Sequence, residues 1–361
     1  MKIPVPRHIQ QLVSYLNAKP PAAPGANATT QAHLSANENP LGLSPKAAEA
    51  IKNNLAHIHR YPDGTAEKLR EALAARLSLP PEWILCGNGS DEIMDLAVRV
   101  FLRGGEEGIF VWPSFVIYRL LTQSHGGVPV AVPLRDFRAA PDAILGRVTA
   151  RTRIVFLASP NNPTGLIVPK ADLLQLLAEI PETVLVILDE AYAQFVRDPQ
   201  FPDAAELVRQ HANLLVLRSF SKFYGLAGVR IGYGIGQAEL VSVLDRVRLP
   251  YNVNTLAQVA ALAALSDPVH EERTNTVVHK GLDYLYGELG RLGVRFLPSE
   301  ANFILVDARR DAGQVALELA ASGVDVRPMG DYGLPTHLRV SVGLDRENEM
   351  FVAALTKALH P

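Results

Sequence analysis

Three short runs, at 154–158, 184–188 and 214–217, are built almost entirely from Val, Ile and Leu, with one Phe and one Ala. Each is apolar at every position, and each is followed at once by a polar or turn-forming cluster. A strand with one wet face alternates apolar and polar residues. A strand apolar on both faces needs cover above and below, as in a parallel sheet between two layers of helices. The runs therefore predict an α/β fold with a mostly parallel sheet sandwiched by helices. In such sheets ligands collect at the carboxyl ends of the strands, so the residues directly after each run are the place to look for chemistry.

The chain around these runs reads as alternating elements. Helical periodicity covers 45–55 and 66–77, with a short strand at 83–86. A helix at 90–101, a strand at 108–112 and a further helix after Pro113 follow. Beyond 257–265, a long helix is predicted over 268–292. Short strands at 295–298, 302–306, 324–327 and 337–342 then alternate with helices, and a last helix over 346–359 takes Asp345 as its N-cap, with Glu347 and Glu349 near its positive end. At 361 residues the chain is long enough for a large domain and a smaller one. The expected division is an N-terminal arm and part of the small domain at 1–44, a large ligand-binding domain at 45–267, and a smaller α+β domain at 268–361. The segment 19–32 is rich in Pro, Ala, Gly and Thr and reads as an arm or loop.

A net charge of −2 makes no electrostatic case for nucleic acid or an anionic membrane surface. No apolar run reaches 18 residues, so no membrane span is expected, and the N-terminus does not read as a secretory signal. The lone cysteine, Cys86, excludes an intramolecular disulfide framework and fits a reducing compartment, with the cytoplasm as the expected location. Its apolar strand-like setting predicts a buried, inert thiol.

Four clusters sit at strand ends. They are Gly87-Asn88-Gly89-Ser90-Asp91-Glu92, Ser159-Pro160-Asn161-Asn162-Pro163-Thr164-Gly165, Asp189-Glu190-Ala191-Tyr192, and Arg218-Ser219-Phe220-Ser221-Lys222 with Arg230 eight residues on. Together with Ser35-Ala36-Asn37-Glu38-Asn39-Pro40 and Leu338-Arg339-Val340-Ser341-Val342-Gly343, these strings resemble the fold-type I aminotransferases, in particular the histidinol-phosphate aminotransferase family. The resemblance covers most of the chain. It implies a seven-stranded, mostly parallel sheet in the large domain, pyridoxal 5′-phosphate as coenzyme, no metal, and a homodimer with shared active sites.

Transamination needs a carbonyl coenzyme that forms an imine with an amine, and so a lysine to hold it. The resemblance gives that role, and proton transfer at the substrate, to Lys222. A surface lysine in a turn is the competing reading, against which stands its place directly after a buried strand. Asp189 is expected to pair with the pyridine nitrogen, since an anionic partner keeps the ring protonated and electron-withdrawing; a helix-capping aspartate is the plainer alternative. Asn162 and Tyr192 resemble the pair that hydrogen-bonds the phenolic oxygen of the coenzyme, beside plain readings as a turn starter and a core tyrosine. For the phosphate, Ser90 and Asp91 would open a helix whose free amides suit a dianion, with hydroxyls from Ser219 and Ser221 and a guanidinium from Arg230. Phe115 resembles the aromatic stacked on the ring, where the family often has tyrosine, beside a plain reading as a core phenylalanine. Tyr61 resembles the tyrosine that reaches the phosphate of the other subunit, which would leave a monomer inactive.

Toward substrate, Arg339 matches the family's carboxylate-binding arginine and Arg327 a second arginine near it. Asn37 matches an asparagine near the site mouth. Tyr15 is the candidate for the tyrosine that closes over substrate, although the Pro-Gly that usually follows it is absent here. The activity implied is aminotransfer between a small-molecule amino donor and a 2-oxo acid, with histidinol phosphate and 2-oxoglutarate as the leading pair, in histidine biosynthesis. Two alternatives share the coenzyme residues: an aromatic amino acid aminotransferase, and a decarboxylase of a phosphorylated amino acid.

Overall fold

The three apolar runs lie side by side at the centre of the larger of two sheets. The computed structural model describes residues 3–12 and 31–359. Its strands, in chain order, are β1 (Ala32–Leu34), β2 (Ile84–Gly87), β3 (Glu107–Trp112), β4 (Val128–Pro133), β5 (Thr152–Ala158), β6 (Leu185–Asp189), β7 (Leu214–Ser219), β8 (Gly232–Ile235), β9 (Arg295–Leu297), β10 (Phe303–Asp307), β11 (Val324–Pro328) and β12 (His337–Ser341). The large sheet has seven strands in the order β2-β8-β7-β6-β5-β3-β4, all parallel except β8, which is antiparallel to both neighbours.

Burial explains the run pattern. In β5, Ile154, Phe156 and Ala158 enter one core cluster while Val155 and Leu157 enter the other; β6 and β7 alternate in the same way. Both faces of the three apolar runs are buried, so polar residues on these strands are confined to their ends, such as Asp189 on β6 and Ser219 on β7. The helices Ser90–Phe101 and Ala238–Asp245 contribute to one cluster, and Lys170–Glu179 and Ala204–Gln210 to the other.

The second sheet has five strands in the order β1-β11-β12-β10-β9, antiparallel but for β1, which pairs parallel to β11. Residues close to the N-terminus thus complete a sheet whose other strands come from 295–341. The long helix Pro268–Arg291 starts at Asp267, whose carboxylate accepts the His270 amide and also the Ser44 hydroxyl, at 2.6 Å. Ser44 in turn caps the helix Pro45–Asn54, so one short contact ties the starts of two helices distant in sequence. The C-terminal helix spans Asp345–Leu359, so Asp345 opens the helix rather than flanking it.

Three strands carry no clear local signal. β4 is an edge strand, which is why it tolerates Pro129 and Pro133. β1 has only three residues. β8 contains Gly232 and Gly234, poor strand formers in isolation. Gly232 is there for closeness: a Cβ at this position would lie 2.4 Å from the Ser90 amide nitrogen, so only glycine lets the sheet approach that helix start. Cys86 is buried in β2, where burial pushes its thiol up to about 12, an inert group. Among the described residues no helix is long and apolar enough to cross a membrane.

Candidate active site

The carboxyl ends of β2, β5, β6 and β7 open into one cleft of about 450 Å³, a size that suits a cofactor with a small substrate. Thirteen of the residues singled out from sequence line it, brought together from positions 37 to 339.

At its floor, Asp189 ends β6 with its side chain 7% exposed. Its Oδ2 accepts the Tyr118 hydroxyl at 2.8 Å and its Oδ1 accepts the Ala191 amide at 3.2 Å. Burial pushes its carboxyl up to about 6, opposed by the Tyr118 hydrogen bond, so it is mostly anionic at neutral pH. The Lys222 Nζ donates to the Ala36 carbonyl at 2.9 Å. Burial, helped by the positive charge of Arg339, brings its ammonium down to about 8, so a minor fraction is already the free amine near neutral pH. An amine kept partly neutral is the nucleophile that imine chemistry requires.

Tyr192 and Asn162 flank this pair. The Tyr192 hydroxyl accepts the Asn37 amide at 3.0 Å, which leaves its own proton to donate, and burial raises it to about 12, so it stays a phenol. The Asn162 Oδ1 accepts from Arg339 Nη1 at 2.8 Å, which turns the Asn162 amide NH₂ away from that bond. Arg339, on β12, also donates to the Ser35 carbonyl at 2.6 Å and lies 5.7 Å from the Phe303 ring centroid. Arg327, on β11, pairs in register with Arg339 and lines the same cleft.

The other end of the cleft is a cradle of donors. The helix Ser90–Phe101 starts at the cleft wall, with Ser90 buried, Asp91 beside it, and no side chain capping its first amides. Arg230 sits in a left-handed conformation (φ +59°), donates to the Ser221 hydroxyl at 3.3 Å, and comes within 3.6 Å of Asp91. The Ser219 hydroxyl accepts the Ser221 amide at 3.0 Å. Helix amides, two serine hydroxyls and a guanidinium in one place are the donor set for a phosphate dianion. With Asp189 and Lys222 within the same cleft, the residues fit pyridoxal 5′-phosphate at its phosphate, its ring nitrogen and its aldehyde.

One expectation, Asn37 at the site mouth, comes out differently placed. Asn37 lines the cleft but is 1% exposed, deeper than the mouth. Its amide is engaged by Tyr192 and by the Ser341 hydroxyl, so its side chain orients Tyr192. Tyr61 lies outside this chain's own cleft, 82% exposed and stacked on Tyr251 with ring centroids 4.6 Å apart. Tyr15 falls outside the described residues. Phe115 lines the cleft, edge-on to Tyr118. Tyr118 itself was not singled out from sequence; its place one turn beyond Phe115 was the available signal.

Residues 29–355 match the family described as aminotransferase class I and II. The chain is 45% identical to a histidinol-phosphate aminotransferase of Moorella thermoacetica over 90% of its own length and 85% of that relative. It is 43% identical to one from Anaeromyxobacter sp., covering 98% of this chain and 99% of the other. Among solved structures, the histidinol-phosphate aminotransferase of Sinorhizobium meliloti in complex with pyridoxal-5′-phosphate superposes with a TM-score of 0.83 at 29% identity, covering 91% of this chain and 90% of that one. The sheet, the cleft and the match along nearly the whole sequence agree: the chain belongs to the class I and II aminotransferases, within the histidinol-phosphate aminotransferase family, and is a pyridoxal-phosphate-dependent transaminase.

Proposed function

We propose that this enzyme moves an amino group between histidinol phosphate and 2-oxoglutarate in histidine biosynthesis, by two half-reactions at one site. The observation that carries this reading is the pair Arg327 and Arg339 on neighbouring strands, facing the cleft that holds Lys222. One partner presents a phosphate and the other carboxylates, and guanidinium forks bind either. Relatives with over 40% identity that carry the name histidinol-phosphate aminotransferase support the same choice.

In this reading Ser90, Asp91, Ser219, Ser221 and Arg230 hold the coenzyme phosphate, Asp189 its ring nitrogen, Asn162 and Tyr192 its phenolic oxygen, and Phe115 the ring face. When bound, the coenzyme supplies an electron sink for the charge left at substrate Cα. Lys222 would hold the coenzyme at its aldehyde, and its Nζ, when free, would take the Cα proton. Arg339, fixed by Asn162 and the Ser35 carbonyl, orients the anionic end of the substrate so that the Cα–H bond faces that nitrogen.

The decisive experiment mixes the coenzyme-loaded protein separately with histidinol phosphate, glutamate and phenylalanine, following loss of the coenzyme absorption band. Rapid conversion by the first two and slow conversion by phenylalanine is the expected result. A preference for phenylalanine or tyrosine would make this an aromatic aminotransferase, and release of carbon dioxide without a keto acid would make it a decarboxylase.

The working unit in this reading is a cytoplasmic homodimer. Tyr61 and Tyr251 form an exposed aromatic pair, and Ile58 and Leu249, close by in sequence, are about 60% exposed. A face of this kind is covered in a stable assembly, and its cover here is a second copy whose phosphate cradle Tyr61 completes. Mixing Tyr61→Ala chains with Lys222→Ala chains should therefore restore activity lost in each alone, because one site of every hybrid dimer has both residues. No recovery on mixing would place Tyr61 outside the site.

A further inference from the structure

We propose that Tyr118 is a positioning residue for the coenzyme ring, fixing the Asp189 carboxylate with its hydroxyl and bracing Phe115 with its ring. This rests on the proposed pairing of Asp189 with the pyridine nitrogen. Tyr118 belongs to the helix Ile117–Ser124, which follows β3, and is fully buried although it borders the cleft. Its ring lies almost parallel to Phe156, with centroids 5.1 Å apart and planes 11° apart, and stands edge-on to Phe115 at 5.7 Å. Buried and held on two sides by other rings, the ring is restrained, so packing sets the direction of its hydroxyl.

That hydroxyl points at Asp189 Oδ2, while the Ala191 amide holds Oδ1. Each carboxylate oxygen therefore has one donor, each donor comes from a different element, and the plane of the group is fixed. A second lone pair on each oxygen stays available for a donor in the cleft. The helix that carries Tyr118 is itself set closely on β3. A Cβ at Gly108 would lie 2.6 Å from the Thr122 hydroxyl, and that hydroxyl donates to the Tyr118 carbonyl at 2.8 Å.

The chemistry favours donation in one sense only. Burial and the adjoining charge of Asp189 hold the Tyr118 phenol well above its ordinary value, so it is always the donor. Burial raises Asp189, and the Tyr118 hydrogen bond is the largest influence acting against that rise. Without it the carboxyl would be protonated over more of the neutral range. A neutral acid no longer favours a protonated ring nitrogen, so both coenzyme affinity and the electron sink would weaken.

The test is the coenzyme dissociation constant of Tyr118→Phe, Asp189→Asn and the double variant, measured by equilibrium dialysis from mildly acidic to mildly basic pH. Phenylalanine keeps the ring against Phe156 and Phe115, so the helix stays packed. The expected result for Tyr118→Phe is ~10-fold weaker binding at neutral pH, the scale of one hydrogen bond to a charged group. The fall in affinity on acidification should also begin at higher pH than in the parent protein. In the Asp189→Asn background the same change should do almost nothing, because the two residues act as one unit. An unshifted pH profile, or an equal loss in both backgrounds, would make the hydroxyl a packing group only and overturn the proposal. Unchanged coenzyme affinity in Asp189→Asn alone would instead remove Asp189 as the ring's partner, and the role of Tyr118 with it.

Discussion

Lys222→Ala is expected to lower turnover by at least ~10⁴-fold, because it removes the covalent anchor and the general base together, and the base alone is worth ~10²- to 10⁴-fold. Coenzyme should still bind through the phosphate cradle, since Ser219, Ser221 and Arg230 do not depend on the amine. The absorption band of covalently held coenzyme should be absent. Steady-state kinetics and a spectrum of the dialysed variant check both statements, and retained turnover would end the case for Lys222. The same residue predicts a pH dependence. Only the neutral amine attacks a carbonyl, and burial together with the positive charge of Arg339 brings this ammonium down to about 8. Covalent capture of added coenzyme by the coenzyme-free protein should therefore accelerate as pH rises toward 8 and level off above it. A rate still climbing far beyond that point would describe an ordinary exposed lysine.

Asp189→Asn removes the charge and keeps the shape. Asparagine can still accept the Ala191 amide or the Tyr118 hydroxyl, so the floor of the cleft should hold its form. What disappears is the anion facing the ring nitrogen. Losing one partner of a buried charge pair costs about 3–5 kcal/mol, so turnover should fall by ~10²- to 10³-fold, with coenzyme bound more weakly. Steady-state kinetics with added coenzyme separate the two effects, since saturating coenzyme restores occupancy but not the electron sink. Near-normal turnover under saturation would mean that the ring nitrogen is served by another group.

Both experiments concern residues that could be found from sequence, and the reason is local. β5, β6 and β7 are covered on both faces, so their apolar runs are uninterrupted and their ends are sharp. The polar cluster after such a run is at a strand's carboxyl end, which is where Asp189, Asn162 and Lys222 lie, and the resemblance of those clusters to the aminotransferases is what singled the three out. The helix Ser90–Phe101 is legible for a similar reason, with its glycine-rich lead-in and its acidic first turn.

Tertiary structure decided the rest. β8 has two glycines, β4 has two prolines and β1 has three residues, so their strand character comes from the neighbours they pair with. Tyr118 reads as one more residue of a short amphipathic helix until the sheet brings Asp189, 71 positions later, within 2.8 Å of its hydroxyl. Asn37 resembles a residue of the site mouth, yet its bonds to Tyr192 and Ser341 seat it beneath the surface. Arg339 is held by Asn162, 177 positions earlier in the chain. Local patterning by itself determined the strand ends and the residue types that do chemistry there, because burial of a strand's two faces is written in its own few residues. Which of those residues orient the others depends on contacts between distant segments, and those exist only once the two sheets and their helices have come together.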